Sequence, residues 1–280
     1  MLIDAAVLPS GSTLDASVCV VGAGPAGLTI ARELAARGVD CIVLERGGEP
    51  GEPLGVGASE TVVTDDSDFE PPPGIPPRFG GGSNEWIVRL PWMRRGVRML
   101  PLAPIDFETR DWVPASGWPI TWSQLEPYLR RAHDALGLGR WGYRPDDWED
   151  SEHPRLPLEA AGFRTAMERF PVATAAGADL WNELRSSTPV RIVLNAPAGA
   201  LDGAPEEVER VEVDAGGRSR VNVTARRFVL AGGGVENPRL VMSARGGEGI
   251  GAGGEAVGRY YMDHLRFVSG ILTPTDPRLF

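Results

Sequence analysis

Six residues constrain this chain more than any others: Gly22-Ala23-Gly24-Pro25-Ala26-Gly27, set between a short apolar run and an amphipathic one. The run before it, Ser17-Val-Cys-Val-Val21, is β-branched and apolar on both faces, as a parallel strand covered by helices must be. The run after it, Ala26 to Ala36, places Leu28, Ile30, Ala31, Leu34 and Ala35 at helical spacing. It ends near Gly38, which is free to take the positive φ of a helix C-terminus. Asp40 to Leu44 resumes as a strand and closes on Glu45. The spacing predicts a βαβ unit with a glycine turn at the carboxyl end of its first strand.

Such a turn suits a dinucleotide for physical reasons. Gly22 makes the tight turn, Gly24 lets the backbone approach a pyrophosphate, and Gly27 lets helix and strand pack closely. The helix entered through Pro25 and Ala26 offers N–H groups and a partial positive charge to the phosphates. Glu45, 18 residues beyond Gly27, is placed to accept hydrogen bonds from ribose hydroxyls. An acid there disfavours a 2′-phosphate, which excludes NADP better than it separates NAD from FAD.

The rest of the chain bears on that choice. From Gly47 to Pro77 it is glycine, proline and acid, with Asp65, Asp66, Asp68, Glu70 and Pro71-Pro72-Pro73, and it reads as a long surface connection. Seven of the eight tryptophans lie between Trp86 and Trp148, as an irregular packing layer or as the lining of a cofactor or substrate cavity. A capping box from Ser123 to Glu126 opens a helix with Leu125, Leu129, Ala132 and Leu136 on one face. A second helical region runs roughly from Leu158 to Ser186. Strands follow at Val190 to Leu194, Val208 to Asp214, Val221 to Thr224 and Arg227 to Ala231, with Gly216-Gly217 as a turn. The last strand runs into Gly232-Gly233-Gly234 and a helix from Pro238. An NAD dehydrogenase would continue with regular βα units after Glu45. The interrupted order fits an FAD domain, with NAD as the alternative.

A formal net charge of −10 without a basic patch argues against nucleic acid or an anionic membrane as partner. No apolar stretch is long enough to span a bilayer, and the opening MLIDAAVLPSGS carries Asp4 and no positive start, so the expected location is cytoplasmic. Cys19 and Cys41 each sit in an apolar run and read as reduced core thiols. No Ser/His/Asp arrangement, metal-ligand spacing or P-loop competes as a site.

The sequence resembles the glucose-methanol-choline (GMC) oxidoreductases on six blocks in order. These are VGAGPAGL with LER at Leu44 to Arg46; RFGGGSNEW from Arg78 to Trp86; PIDFE with SGWPITWSQLEPY from Pro104 to Tyr128; LNA at Leu194 to Ala196; FVLAGGGVENPRL from Phe228 to Leu240; and VGRYYMDH from Val257 to His264. The resemblance implies an α/β fold: a Rossmann-like FAD-binding domain with a parallel sheet, a β-meander and inserted irregular and helical segments, plus the start of an antiparallel substrate-domain sheet. The expected boundaries are 1–48 for the FAD-binding βαβ unit and 49–157 for an inserted lid and Trp-rich segment that includes a flavin-facing glycine loop. Residues 158–263 return to the FAD-binding domain, and 264–280 begin an incomplete substrate-binding domain.

Carried over by position, the resemblance gives Gly22, Gly24, Pro25, Ala26 and Gly27 to the pyrophosphate turn, and Glu45 with Arg46 to the adenosine ribose. It runs Arg78, Gly80, Gly81, Ser83, Asn84 and Trp86 along the pyrophosphate and flavin face, sets Ala198 beside the adenine, and brings Ala231 and Gly232 to the cofactor at the mouth of the sheet. Some members join the flavin covalently to a histidine. Glu85 stands at the matching position, which implies non-covalent FAD.

The implied activity is oxidation of a CH–OH group of an alcohol, sugar or sterol-like substrate by hydride transfer to flavin, with oxygen, a quinone or a cytochrome as the final acceptor. That chemistry needs a base within hydrogen-bond reach of the substrate oxygen. His133 lies among arginines and reads as solvated, His153 lies in an acidic, proline-rich loop, and His264 belongs to a structural turn. None is assigned as the base. The family's catalytic histidine and its paired residue belong to a later part, so the expectation is a chain that stops before them, with no catalytic residue named here. The alternative is an FAD-binding module without activity of its own, or one completed by a separate C-terminal polypeptide.

Overall fold

The computed structural model describes residues 1–49, 77–84, 87–90, 93–96, 99–114, 116–152, 154–156, 158, 161–170, 176–204, 207–217, 219–247, 249–250, 256–262 and 270. The chain divides into two compact units, Met1–Glu85 with Ala175–Asp263, and Trp86–Thr174 with His264–Phe280. The described strands are β1 (Leu2–Asp4), β2 (Thr13–Val21), β3 (Cys41–Leu44), β4 (Ile87–Leu90), β5 (Met93–Gly96), β6 (Val190–Leu194), β7 (Ala198–Ala204), β8 (Glu207–Asp214) and β9 (Arg220–Leu230). The α-helices are α1 (Pro25–Ala35), α2 (Trp122–Ala135), α3 (Ala176–Leu184) and α4 (Gly233–Ser243).

The first unit is built on a seven-stranded sheet of order β1-β6-β3-β2-β9-β8-β7. Its first five strands are mutually parallel, and β9, β8 and β7 form an antiparallel meander. This is the mixed α/β, Rossmann-like fold expected. Strand alternation then creates two cores. Cys19, Val21, Ile42, Leu44 and Val193 face one way and pack with Leu201, Val211, Val213, Val221 and Val223 of the meander and with Leu240 of α4. Val20, Cys41, Val43, Ile192 and Leu194 face the other way, onto Leu28 and Ala31 of α1, Trp181 and Leu184 of α3, and Phe79. Each large apolar side chain buried in these layers contributes about 1.5–3 kcal/mol. Cys19 and Cys41 therefore lie in different cores, both fully buried and both free thiols, as expected.

Several elements depart from the sequence reading. Strand β2 starts at Thr13 rather than Ser17, because Thr13 to Ala16 pair with Asn222 to Ala225. Two expected strands, Val221 to Thr224 and Arg227 to Ala231, are the single strand β9; its bonds to β2 carry the exposed Arg226 and Arg227 through the polar gap. Strand β7, AGALDGA, has little intrinsic strand preference and is held by pairing with β8, with register shifts at Ala198/Ala200 and Asp202/Gly203. Among the described residues of the second helical region, α3 is the α-helix; residues 161–170 are a short helical turn followed by irregular backbone, with Gly162 at φ +82°. Helix α4 begins at Gly233 and contains Pro238 instead of starting there.

In the second unit, β4 and β5 pair antiparallel. Helix α2 is capped by Thr121, not Ser123: Thr121 Oγ1 accepts from Gln124 N–H (3.3 Å) and Gln124 Oε1 accepts from Thr121 N–H (2.8 Å). Glu126 is left to pair with Arg130 at 2.6 Å. His133 is buried, at 3% exposure, and not solvated as its arginine neighbours had implied. Its Nε2–H donates to Gly139 O (2.8 Å), because a carbonyl can only accept, and its Nδ1 is hydrogen-bonded to Tyr143 Oη (2.9 Å). Trp141 and Tyr143 stack edge-on around it. Trp148 has the guanidinium groups of Arg140 and Arg169 at 4.9 and 4.1 Å from its ring. Trp141 and Trp148 thus belong to a packing layer. Residues 50–76, which hold most of the expected connection, and Glu85, Trp86, His153 and His264 lie outside the described residues. Among the described residues no helix is long and apolar enough to cross a membrane.

Candidate functional site

In the first unit the carboxyl ends of β3, β2 and β9 meet, where open α/β sheets hold their ligands. Gly22 donates its N–H to Leu44 O (2.8 Å) and takes φ +106°. A Cβ on Gly22 would stand 2.6 Å from Ala231 O, whose own N–H donates to Val21 O (2.8 Å). A Cβ on Gly27 would stand 2.0 Å from Gly22 O. Packing therefore demands both glycines. Gly24 is different: no described residue lies within 4 Å of the place its Cβ would occupy. It is the N-cap of α1, receives no side-chain cap, and precedes a first turn without an acid. Pro25 and Ala26 form the start of that turn, where a proline loses no useful N–H. Among the described residues, none crowds the Gly24 Cβ direction at the positive end of α1.

Glu45 clamps two loops. Its Oε2 accepts from Ala23 N–H (3.1 Å) and its Oε1 from Gly47 N–H (2.8 Å). Burial raises its pKa above the ordinary carboxyl value, against the opposing pull of those two N–H groups and of the Arg46 charge. Arg46 lies 3.8 Å from Glu236, which also pairs with Arg239 at 2.8 Å, and Arg239 donates to Ala198 O (3.3 Å). Arg46, Ala198 and the first turns of α4 are tied together in this way.

A second glycine loop rests on the first. Arg78 bridges Gly48, and Gly80 N–H donates to Ala23 O (2.8 Å). Gly81, at φ +48°, sits so close to Gly24 that a Cβ would stand 3.0 Å from the Gly24 Cα. Ser83 Oγ donates to Gly80 O (2.7 Å), and Asn84 Nδ2 donates to Phe79 O and Gly81 O, both at 2.9 Å. Those two side chains shape the loop from within. Gly232 behaves similarly: its N–H donates to Asn237 Oδ1 (2.8 Å), and a Cβ there would meet Glu236 Cβ at 3.1 Å.

The structure thus brings Gly22, Gly24, Pro25, Ala26, Gly27, Glu45, Arg78, Gly80, Gly81, Ser83, Asn84, Ala231 and Gly232 to one sheet mouth, with Arg46 and Ala198 joined through α4; Trp86 lies outside the described residues. An uncapped helix end over Cβ-free backbone fits a pyrophosphate, and a buried carboxylate beside it fits hydroxyl donors. Supporting residues escaped the sequence reading. Phe79, 1% exposed, anchors the second glycine loop against Trp181 at 4.6 Å. Asn195, at φ +51°, turns the chain out of β6 so that Ala196 N–H reaches Glu45 O (2.8 Å). The signals were present as an aromatic residue inside RFGGG and an asparagine at a strand end, a residue type that tolerates positive φ.

The family model described as "FAD dependent oxidoreductase", DAO, matches residues 17–248. Among solved structures, the chain is similar to formate oxidase from Aspergillus oryzae RIB40, with 18% identity and TM-score 0.55 over 85% of this chain and 48% of that one. It is also similar to pyridoxine 4-oxidase from Mesorbium loti, with 19% identity and TM-score 0.50 over 82% and 52%. A fungal aryl-alcohol oxidase matches with 13% identity and TM-score 0.51 over 82% and 48%. The chain spans about half the length of these proteins, and at such identities they speak for the fold. None of the curated proteins matches it. With a family match over most of its length and the glycine-lined sheet mouth that such a cofactor requires, the chain belongs to the FAD-dependent oxidoreductase family, and its cofactor is FAD.

Proposed function

We propose that this chain is the FAD-holding part of a GMC-type oxidoreductase that oxidises a CH–OH group of an alcohol, sugar or sterol-like substrate. The observation that carries the reading is the open space over Gly24 at the uncapped end of α1, bordered by Gly81 of the second glycine loop. FAD supplies a two-electron acceptor when bound. The chain's own residues do the holding. The α1 N-terminus with Pro25, Ala26 and Gly27 receives the pyrophosphate, and the Glu45 carboxylate, with lone pairs left beyond Ala23 and Gly47, accepts from ribose hydroxyls. Gly80 and Gly81 admit the cofactor's close approach, and Arg46, Ala198, Ala231 and Gly232 frame its adenosine end. Attachment is non-covalent, with Glu85 in place of a histidine. The match to FAD-dependent oxidoreductases argues against NAD as the resident dinucleotide.

A second reading, an FAD-binding module without turnover of its own, is favoured by one observation. His133, the histidine among the described residues, is enclosed by Gly139 O and Tyr143 Oη and is unsuited to act as a base. Primary alcohols, sugars and sterols added to the FAD-loaded chain separate the two. Bleaching of the flavin band by any of them supports the oxidoreductase; an unbleached flavin that dithionite still reduces supports the module.

A further inference from the structure

We infer that Asn237 is a positioning residue for the FAD site, fixing the turn between β9 and α4 against the glycine turn at Gly22; the inference rests on the FAD site proposed above. Its side-chain amide uses both ends. Oδ1 accepts from Gly232 N–H (2.8 Å), and Nδ2 donates to Leu230 O (3.2 Å). The two partners flank Ala231, so the amide spans the step at which the chain leaves the sheet.

That step has no slack. Ala231 O lies 2.6 Å from where a Gly22 Cβ would be, and Ala231 N–H holds Val21 O at 2.8 Å. The β2–β9 register ends at Val21↔Leu230, and beyond it, among the described residues, the Ala231 N–H bond to Val21 O and the Asn237 amide hold the turn. Gly232 is the N-cap of α4 and has no side chain to cap it, while Asn237 reaches back from the second turn and accepts the Gly232 N–H itself. Asn237 also precedes Pro238, where helical backbone is disfavoured, and its two hydrogen bonds offset that preference. A serine is too short to reach both groups, and a glutamine adds a rotatable bond. Because Gly232 N–H is taken by Asn237, Gly232 offers the cofactor no backbone donor. Displacement of this turn moves Ala231 O relative to Gly22 and disturbs the loop that faces the pyrophosphate.

The test measures FAD dissociation constants by quenching of flavin fluorescence, at a temperature where every variant is folded. Wild type is compared with Asn237→Ala, Asn237→Asp and the remote core variant Val211→Ala, each also melted without FAD. Asn237→Ala is expected to weaken FAD binding about tenfold or more, and Val211→Ala to lower the melting temperature as much while leaving the constant within about twofold. Asn237→Asp keeps the acceptor toward Gly232 and loses the donor toward Leu230, so it falls between wild type and alanine. Wild-type affinity in Asn237→Ala overturns the inference alone, as does an equal loss in Val211→Ala. A wild-type chain that takes up no FAD overturns the site reading and this inference with it.

Discussion

At the scale of single residues, the three glycines of the first loop are required for different reasons and separate by experiment. Gly22→Ala forces a side chain onto positive φ and against Ala231 O, a strain of about 1–3 kcal/mol that lowers both the melting temperature and FAD affinity. Gly24→Ala meets open space and regular backbone, so the stability of the FAD-free chain changes by less than about 1 kcal/mol. Its FAD dissociation constant still rises about tenfold or more, because the methyl group occupies the ligand's volume. Equal FAD affinity in Gly24→Ala and wild type would place the pyrophosphate elsewhere. Glu45 gives a pH test. A carboxyl whose native pKa is raised contributes stability below its unfolded pKa of about 4.3, and that contribution is lost as pH rises through the native value. Glu45→Gln removes that fall, so denaturant titrations of the FAD-free proteins should show wild type losing stability relative to the variant as pH climbs from 4 toward neutrality. A difference independent of pH would mean that Glu45 titrates normally.

At the scale of elements, the second glycine loop is only as well placed as its anchor. Phe79→Ala is expected to cost about 3–5 kcal/mol and to weaken FAD binding beyond the loss that a remote core deletion of similar cost produces, because Gly80 and Gly81 then lose their seat. The first βαβ unit was legible from sequence since its pattern is local: buried strands, a helical face and three glycines within Ser17 to Glu45. Strands β1 and β7 were not, because AGALDGA and LID are strands only through their partners β8 and β6. Thr121 outcompeted Ser123 as the α2 cap, a choice of register that two hydroxyl residues separated only by Trp122 leave open in sequence. His133 was misread for a similar reason: neighbouring arginines describe the helix's outer face, while its own position points inward to Gly139 and Tyr143.

At the scale of the whole molecule, the sheet keeps the two cysteines in separate cores, and burial pushes both thiols up to about 12. A thiol reagent should therefore find no reactive cysteine in the native chain near neutral pH and two after unfolding. Rapid native labelling would mean that the sheet opens. The candidate site is itself a property of the whole first unit: Gly22, Glu45 and Ala231 are far apart in sequence and meet because parallel strands deliver their carboxyl ends to one edge, and Gly81 joins them because its loop is seated on Ala23 and Gly24. The family's sequence blocks pointed to these positions and also contain their supports, Phe79, Asn195 and Asn237, whose supporting roles became visible only as contacts. The central claim is that this edge holds FAD non-covalently. The most direct measurement is the visible absorbance spectrum of the purified chain incubated with FAD and freed of excess by filtration, repeated after denaturation and a second filtration. The account predicts a flavin spectrum that stays with the folded chain and passes the filter once it is unfolded. A folded chain that remains colourless, or a flavin that stays attached after denaturation, would contradict it.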